Sequence, residues 1–275
     1  MKQTPVVFLD SGVGGLPYCD HFAKLAPQVP RIYIADRANF PYGPKSKTEL
    51  SSLLQRLIAK VLNRWPAQVV VIACNTATIS SIDLLRSAFP TISFVGTVPA
   101  VKPAVLSSSL HRIGVIATER TIREPYIYEL TKRFAPQVEL VGLPASELVS
   151  FVEHEYYRAD QKMRLTQVAP YVEYFKKAKV DGIVLGCTHF LFLIHEFKVL
   201  AEPEITIFHS LEGVGRRVLQ ILENRGLLIP AKNEVPLGNY VEPAHNLLVV
   251  TGSEPVSENW QNLGTNYGLS VEVWE

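Results

Sequence analysis

The fold of this chain is decided by the stretch Val69-Val70-Val71-Ile72-Ala73-Cys74-Asn75-Thr76. Its four β-branched residues run through an alanine into a cysteine, and small polar residues follow. Such a run is typical of a strand that is buried on both faces, as in a parallel sheet. Residues that follow the strand then lie at its carboxyl end, which is the edge where open α/β sheets bind ligands. The stretch therefore predicts an α/β fold with Cys74 at a ligand-binding edge.

A second stretch, Gly182-Ile183-Val184-Leu185-Gly186-Cys187-Thr188-His189, repeats this pattern and ends in another cysteine. Asp10 follows an earlier apolar run at residues 6–9, and Thr118 follows a run at residues 113–117. Each of these two residues precedes one of the two cysteines by a similar number of positions in the sequence. The repeat predicts two doubly wound, pseudo-symmetric α/β domains with mainly parallel sheets, and an active site in the cleft between them.

The boundary between the domains is expected at the proline-containing segment 98–103. Residues 1–97 together with 210–275 would form the first domain, which carries Asp10 and Cys74. Residues 98–209 would form the second domain, which carries Thr118 and Cys187. Within these domains we expect a single helix at residues 121–133 and the last strand of the chain at residues 247–252.

Composition and charge disfavour several classes of protein. The chain has 275 residues, and 27 Lys and Arg residues nearly balance 26 Asp and Glu residues, which leaves a net charge of +1. This balance indicates no nucleic-acid partner, and no apolar run is long enough to span a membrane. The N-terminal residues pass directly into a strand-like run, so we expect no secretory segment and a cytoplasmic location. In that compartment Cys19, Cys74 and Cys187 are expected to be free thiols.

The glycine-rich loop Asp10-Ser11-Gly12-Val13-Gly14-Gly15 has two possible roles. Its glycines let the backbone approach a ligand closely, although their spacing differs from the GxGxxG of dinucleotide sites. A tight turn capped by Asp10 or Ser11 explains the loop as well. Because Asp10 shares a sheet edge with Cys74, we favour the ligand-binding role. Cys19 lies in the following helix and is expected to be a packing residue.

The two edge cysteines limit the chemistry of the predicted site. No CxxC pair is present, which disfavours both a metal site and a dithiol redox centre. A cysteine hydrolase could pair Cys187 with His189, but it would leave Cys74 without a role. Two thiols from two domains suit proton transfer at a carbon stereocentre, where one removes a proton and the other supplies one on the opposite face. A free thiol has a pKa of about 8.5, so a modest decrease makes it a usable base near neutral pH. His189 and Asp10 are the expected partners that adjust the pKa of Cys187 and of Cys74, respectively.

Four stretches together resemble the signature motifs of the glutamate racemases, within the aspartate/glutamate racemase superfamily. They are Asp10-Ser11-Gly12-Val13-Gly14-Gly15-Leu16, Pro41-Tyr42-Gly43, Ala73-Cys74-Asn75-Thr76-Ala77 and Gly186-Cys187-Thr188-His189. Each motif is weak alone, but four in the family's order and spacing are highly specific. The likeness covers nearly the whole chain.

The resemblance implies an enzyme that interconverts L- and D-glutamate without pyridoxal phosphate, metal or nucleotide. It also implies a small-molecule substrate, a homodimer and a supply of D-glutamate for peptidoglycan, and thus for cell wall and cell shape. By similarity, Cys74 is the acid/base that faces D-glutamate, assisted by Asp10, and Cys187 is the one that faces L-glutamate, assisted by His189 and Glu153. The residues that would bind substrate are Asp10, Ser11, Pro41, Tyr42, Gly43, Asn75, Thr76, Thr118, Thr188 and His189.

Two other functions stay open at this point. One is a racemase for another amino acid such as aspartate, because no residue in the motifs indicates the length of the substrate side chain. The other is a catalytically inactive amino-acid-binding protein on the same fold. The presence of both Cys74 and Cys187 argues against the inactive protein, and the leading hypothesis is a glutamate racemase.

Overall fold

The computed structural model describes residues 4–228, 246–253, 255 and 257–275. The chain divides into two compact units: unit 1 comprises Met1–Thr97 and Leu211–Glu275, and unit 2 comprises Val98–Ser210. Each unit has its own sheet of parallel strands. Among the described residues, none of the helices has both the length and the hydrophobicity that a membrane crossing needs.

Strands and helices alternate along most of the chain. The strands, in chain order, are β1 (Val6–Asp10), β2 (Arg31–Ala35), β3 (Val69–Ile72), β4 (Ser93–Gly96), β5 (Arg112–Ala117), β6 (Glu139–Pro144), β7 (Gly182–Leu185), β8 (Thr206–Phe208), β9 (Leu247–Thr251) and β10 (Ser270–Trp274). The helices are α1 (Leu16–Leu25), α2 (Lys47–Arg64), α3 (Asn75–Ala88), α4 (Val101–Ser107), α5 (Glu119–Arg123), α6 (Pro125–Phe134), α7 (Ser146–His154), α8 (Gln161–Lys177), α9 (Ile194–Ala201), α10 (Leu211–Asn224) and α11 (Glu258–Asn266). Short 3-10 helices occupy Arg37–Asn39 and Thr188–Leu193.

The sheet of unit 1 has the strand order β10-β9-β2-β1-β3-β4. Its central strands β1, β2 and β3 are buried along their whole length because helices cover both faces of the sheet. On one face, Val7 and Val70 belong to the same apolar cluster as the buried stripe of α2. On the other face, the ring of Phe8 lies 5.6 Å from that of Phe22 in α1. These β-branched and aromatic residues form continuous apolar runs because neither face of a central strand meets water.

The sheet of unit 2 has the order β6-β5-β7-β8, and all its strands are parallel. When the strands are counted from the start of each unit, both sheets have the order second, first, third, fourth: β6-β5-β7-β8 in unit 2 and β2-β1-β3-β4 in unit 1. In both sheets the first strand lies between the second and the third. Connections on the two sides of such a strand run in opposite directions, which opens a crevice at the carboxyl ends of the first and third strands. The predicted α/β class with two parallel-sheet domains is confirmed.

The structure corrects the predicted single helix at residues 121–133. Two helices, α5 and α6, meet there at Glu124, which has extended dihedral angles of φ −70° and ψ 127°. Pro125 begins α6, and its ring disfavours the helical conformation for the residue before it. The proline therefore starts a new helix, and the apolar periodicity alone does not reveal the break.

The prediction that residues 247–252 form the last strand is also wrong. Strand β10 follows α11 and pairs in parallel with β9 at the edge of the first sheet. As an edge strand it is only partly buried, and its first four residues alternate between polar and apolar. Trp274 packs edge-on against Trp65 at the end of α2, with 5.4 Å between the ring centroids. The alternating pattern is too short and too polar to stand out from the polar segments around it.

Candidate active site

Cys74 and Cys187 occupy equivalent positions in the two sheets. Cys74 follows β3 and caps the start of α3 with φ −139° and ψ 123°. Cys187 follows β7 and caps the 3-10 helix Thr188–Leu193 with φ −128° and ψ 139°. Both are free cysteines and nearly buried, with 9% and 8% exposure. Each cysteine therefore lies at the carboxyl end of the third strand of its sheet, where the change in strand order opens a crevice.

Cys19 differs from the two edge cysteines. It lies within α1 and is 1% exposed. Burial raises the pKa of the Cys19 thiol to about 12, with a smaller opposing effect from Arg31. A thiol with this pKa stays protonated at neutral pH and is a poor base. This agrees with the prediction of a packing role.

In unit 2, three side chains form a hydrogen-bonded chain that ends at Cys187. The Cys187 Sγ lies 3.6 Å from His189 Nδ1. On the other side of the ring, His189 Nε2 lies 2.6 Å from Glu153 Oε1. The side chains of His189 and Glu153 are both buried, so little water competes for these contacts. Glu153 comes from the last turn of α7, far from the cysteine in sequence, and the fold brings it behind the imidazole.

The charge state of His189 follows from these neighbours. Burial alone lowers the pKa of an imidazole, but the hydrogen bonds and the negative charges of Cys187 and Glu153 outweigh it and raise the pKa of His189 well above 6.5. With both ring nitrogens engaged, the protonated ring donates a hydrogen bond to the carboxylate and another to the sulfur. The arrangement therefore places a buried imidazolium within hydrogen-bond distance of the Cys187 sulfur.

In unit 1, Asp10 is the last residue of β1, the strand adjacent to β3, and Ser11 follows it. Asp10 is completely buried, and its Oδ1 accepts hydrogen bonds from the Ser11 backbone at 2.6 Å and from the Ser11 hydroxyl at 3.4 Å. Leu9 pairs with Ile72 in the sheet, and the Leu9 carbonyl accepts a hydrogen bond from the Ala73 amide at 2.7 Å. This register places Asp10 and Ser11 on the strand end that neighbours Cys74.

The Pro41-Tyr42-Gly43 turn is tied to a buried carboxylate that our sequence analysis did not assign to the site. Tyr42 donates its hydroxyl to Asp36 Oδ2 at 2.7 Å, and the Asn39 amide donates to both oxygens of Asp36. Thr251 at the end of β9 donates its hydroxyl to Asp36 Oδ1 at 2.8 Å. Burial and then the Asp36 charge raise the pKa of Tyr42 well above 10, so the phenol keeps its proton.

Asp36 and Thr251 are therefore the residues that our sequence analysis missed. Asp36 directly follows β2, much as Asp10 ends β1, and this position at a strand end was a signal that could have identified it. Thr251 also lies at a strand end, but it is separated from Asp36 by 215 positions, and no local pattern indicates that the two residues meet. The negative charges of Cys74 and Asp10 also act on Tyr42, which places this turn within electrostatic range of both residues.

The remaining predicted site residues are distributed over both units. Asn75 and Thr76 form the buried first turn of α3, and Thr188 is the buried first residue of the 3-10 helix. The Thr118 hydroxyl caps α5 by accepting the Thr121 amide at 3.3 Å, at the end of β5. Pro41 is exposed, and a Cβ built on Gly43 would meet none of the described atoms within 4 Å. In the part of the chain that the structure describes, no group of three His, Cys, Asp or Glu side chains could hold a metal ion.

Thr251→Val is expected to weaken substrate binding more than turnover. The change removes the hydroxyl that bonds Asp36 and that accepts the Ala38 amide at 3.1 Å, while it preserves the side-chain shape. The Tyr42 turn would lose part of its anchor, so KM for the substrate should rise several-fold with a smaller change in kcat, and the free energy of unfolding should fall by about 1–2 kcal/mol. Steady-state kinetics and thermal unfolding measure both effects.

Thr265→Val is the matched control, because the Thr265 hydroxyl bonds only to the Gln261 carbonyl within α11 as far as the described contacts show. It should leave KM at the wild-type value. An unchanged KM in Thr251→Val would contradict a role of the Asp36 cluster in holding the turn.

Comparisons with known proteins agree on one family. The family model described as Asp/Glu/hydantoin racemase matches residues 19–204. A glutamate racemase from Shewanella sp. (strain ANA-3) is 40% identical over 222 residues, which are 79% of this chain and 79% of that protein. The glutamate racemase of Treponema pallidum (strain Nichols) is 36% identical over 220 residues, 80% of this chain and 82% of that protein. The crystal structure of Escherichia coli glutamate racemase, in complex with L-glutamate and the activator UDP-MurNAc-ala, has a TM-score of 0.83 at 30% identity and covers 98% of this chain and 97% of that one.

Proposed function

This chain belongs to the Asp/Glu/hydantoin racemase family, and from that premise we propose that it interconverts L- and D-glutamate by proton transfer between two cysteines. The relatives matched over most of the chain are glutamate racemases, which are isomerases. The observation that carries the two-cysteine mechanism is the equivalence of Cys74 and Cys187, which follow corresponding strands in two sheets of the same order.

In the proposed reaction, one cysteine is a thiolate and the other a thiol. For L-glutamate, the Cys187 thiolate takes the Cα proton and becomes a thiol, and the Cys74 thiol gives its proton to the opposite face of Cα and becomes a thiolate. The product is D-glutamate, and the two sulfurs have exchanged protonation states. The reverse reaction uses the same steps in the opposite order. A general base or acid contributes most when its pKa is near the working pH, and a thiol meets that requirement.

Each half of the site would support its own cysteine. The imidazolium of His189, held by Glu153, would stabilise the Cys187 thiolate when L-glutamate is bound. Asp10 would act on Cys74 from the neighbouring strand in the opposite sense, because its negative charge would favour the protonated thiol, which is the form that gives a proton when L-glutamate is the substrate. Because the two supporting groups differ, the two proton transfers would have different pH dependences. The assignment of Cys74 to D-glutamate and of Cys187 to L-glutamate rests on the family resemblance.

Substrate binding would use the polar groups at the same sheet edges. The first turn of α3 begins at Asn75, and the N-terminus of a helix attracts a carboxylate. The hydroxyls of Ser11, Thr76, Thr118 and Thr188 and the backbone of Gly43 would bind the remaining carboxylate oxygens and the amine. The reaction needs reduced thiols, which favours the cytoplasm. We further propose a homodimer and a supply of D-glutamate for peptidoglycan.

A circular dichroism assay tests this proposal. Starting from pure L-glutamate or pure D-glutamate, the optical signal should decay to zero in either case, because two enantiomers have equal free energies. Decay with aspartate but not with glutamate would select the alternative of a racemase for another amino acid. A constant signal with both amino acids, together with measurable binding of glutamate, would select an inactive binding protein.

A further inference from the structure

Tyr33 is a buried tyrosine to which our sequence analysis gave no function. It lies in the middle of β2, and its side chain is completely buried. Its hydroxyl donates a hydrogen bond to the Gly12 carbonyl at 2.7 Å and accepts one from the Gly15 amide at 3.0 Å. One phenol oxygen therefore joins both ends of the turn that leads from Ser11 to α1.

This turn packs directly on the residue before Cys74. A Cβ on Gly15 would come 2.6 Å from the Ala73 Cβ, which is closer than real Cβ atoms approach, and 3.1 Å from the Tyr33 ring, which is a tight contact. Glycine at this position lets the turn lie against the end of β3. The Asp36 amide also donates a hydrogen bond to the Asp10 carbonyl at 2.8 Å, so β2 holds the segment at its start as well.

We propose that Tyr33 is a positioning residue for proton transfer at Cys74. Its hydroxyl holds the glycine turn closed, and the closed turn fixes Asp10 and Ser11 beside the strand end that carries Cys74. Tyr33 itself does not contact substrate, because its hydroxyl is engaged by two backbone groups in the interior of unit 1. The inference rests on the proposed racemase function and adds a residue outside the four motifs.

Tyr33→Phe removes the hydroxyl and keeps the ring, so the packing of β2 stays intact. The Gly12 carbonyl and the Gly15 amide would lose their buried partner, and the turn would shift to regain hydrogen bonds. A small displacement of a supporting group slows a positioned proton transfer, so kcat/KM should fall by about 10- to 100-fold. Because the two enantiomers have equal free energies, this fall must be the same in both directions and cannot by itself reveal which cysteine is affected.

Isotope effects identify the affected step. With [2-²H]-D-glutamate, the Cys74 step breaks the carbon–deuterium bond, so slowing this step should raise the primary isotope effect on kcat/KM. With [2-²H]-L-glutamate the labelled bond breaks at Cys187, so the isotope effect should decrease. A purely structural loss would reduce the amount of active enzyme and leave both isotope effects at their wild-type values, which would overturn the proposal.

Two comparisons separate positioning from stability. Ser51→Ala removes a buried hydrogen bond of 2.9 Å to the Ser80 carbonyl in the same unit, and it should lower the melting temperature without changing either isotope effect. In a double-mutant cycle with Asp10→Asn, the Tyr33→Phe effect on kcat/KM should shrink, because both changes act on one group. Additive effects of the two changes would overturn the proposal. A Tyr33→Phe protein that does not fold would also overturn it, because the hydroxyl would then be required for folding of unit 1 rather than for positioning the glycine turn.

The outcome for Tyr33 is distinguishable from failure of the proposed function. If the wild-type protein does not racemise glutamate, the proposed function fails. If the wild type racemises glutamate and Tyr33→Phe has wild-type kcat/KM and isotope effects, only the positioning inference fails.

Discussion

Cys74→Ser and Cys187→Ser should each abolish racemisation, with kcat lower by about 10³-fold or more. A serine hydroxyl has nearly the shape of a thiol, but it stays protonated near neutral pH and cannot serve as the base. Each variant should keep the fold, because both residues follow a strand and cap a helix without a side-chain capping hydrogen bond. Circular dichroism of glutamate solutions measures the rate, and far-UV spectra check the fold.

Exchange with deuterated water tests the two cysteines separately. A variant that keeps one thiol can still remove and return the proton of the enantiomer that this thiol faces. Cys187→Ser should therefore exchange the Cα proton of D-glutamate without inversion, and Cys74→Ser should do so with L-glutamate. Cys19→Ala is the matched control and should retain wild-type turnover, because the buried Cys19 thiol lies in α1. Wild-type turnover in either serine variant would disprove the two-base scheme.

His189→Asn should reduce kcat by about 100-fold, the second largest expected effect. The asparagine keeps a polar side chain but cannot carry the charge that stabilises the Cys187 thiolate. Because the reaction alternates between the cysteines, loss at Cys187 slows both directions. Solvent and primary isotope effects should then indicate that the Cys187 step limits the rate, the reverse of the pattern expected for Tyr33→Phe.

The same variant has a defined dependence of stability on pH. The pKa of His189 is raised in the folded protein well above 6.5, so the folded state binds the proton more tightly than the unfolded state does. Its contribution is fully present below pH 6.5 and is lost as the pH rises through the raised pKa. The free-energy difference between wild type and His189→Asn should therefore decrease with rising pH in that window, as measured by chemical denaturation.

Two neighbouring variants serve as controls for His189. Glu153→Gln keeps a hydrogen-bond acceptor for the imidazole but removes the charge, so it should have an intermediate kcat and a lower pH for the loss of stability. His154→Asn changes an exposed histidine of the same helix, whose Nδ1 contacts the Ser150 carbonyl. It should match wild type in both rate and pH dependence. A His154 variant as slow as His189→Asn would show that the effect comes from α7 rather than from the hydrogen-bonded chain of Glu153, His189 and Cys187.

Local patterns in the sequence determined the class of the fold and the place of the two cysteines. Runs of β-branched residues indicate strands buried on both faces, and a residue that ends such a run lies at the carboxyl edge of a parallel sheet whatever its neighbours are. The break before Pro125 was readable from the sequence, because a proline disfavours the helical conformation of the preceding residue, but the prediction followed apolar periodicity alone. The short strand β10 escaped this reasoning because its place is set by contacts at the sheet edge.

Only the tertiary structure decided which side chains serve the edges. Glu153 reaches His189 across 36 positions, Thr251 reaches Asp36 across 215, and Tyr33 reaches Gly15 across 18. Hydrogen bonds of this kind depend on how whole strands and helices pack, and a local pattern of residues does not indicate that packing. The position of the two cysteines at strand ends was therefore predictable from the chain, and the family resemblance named Asp10, His189 and Glu153 as their partners. The contacts of Asp36, Thr251 and Tyr33 became visible only once the chain was folded.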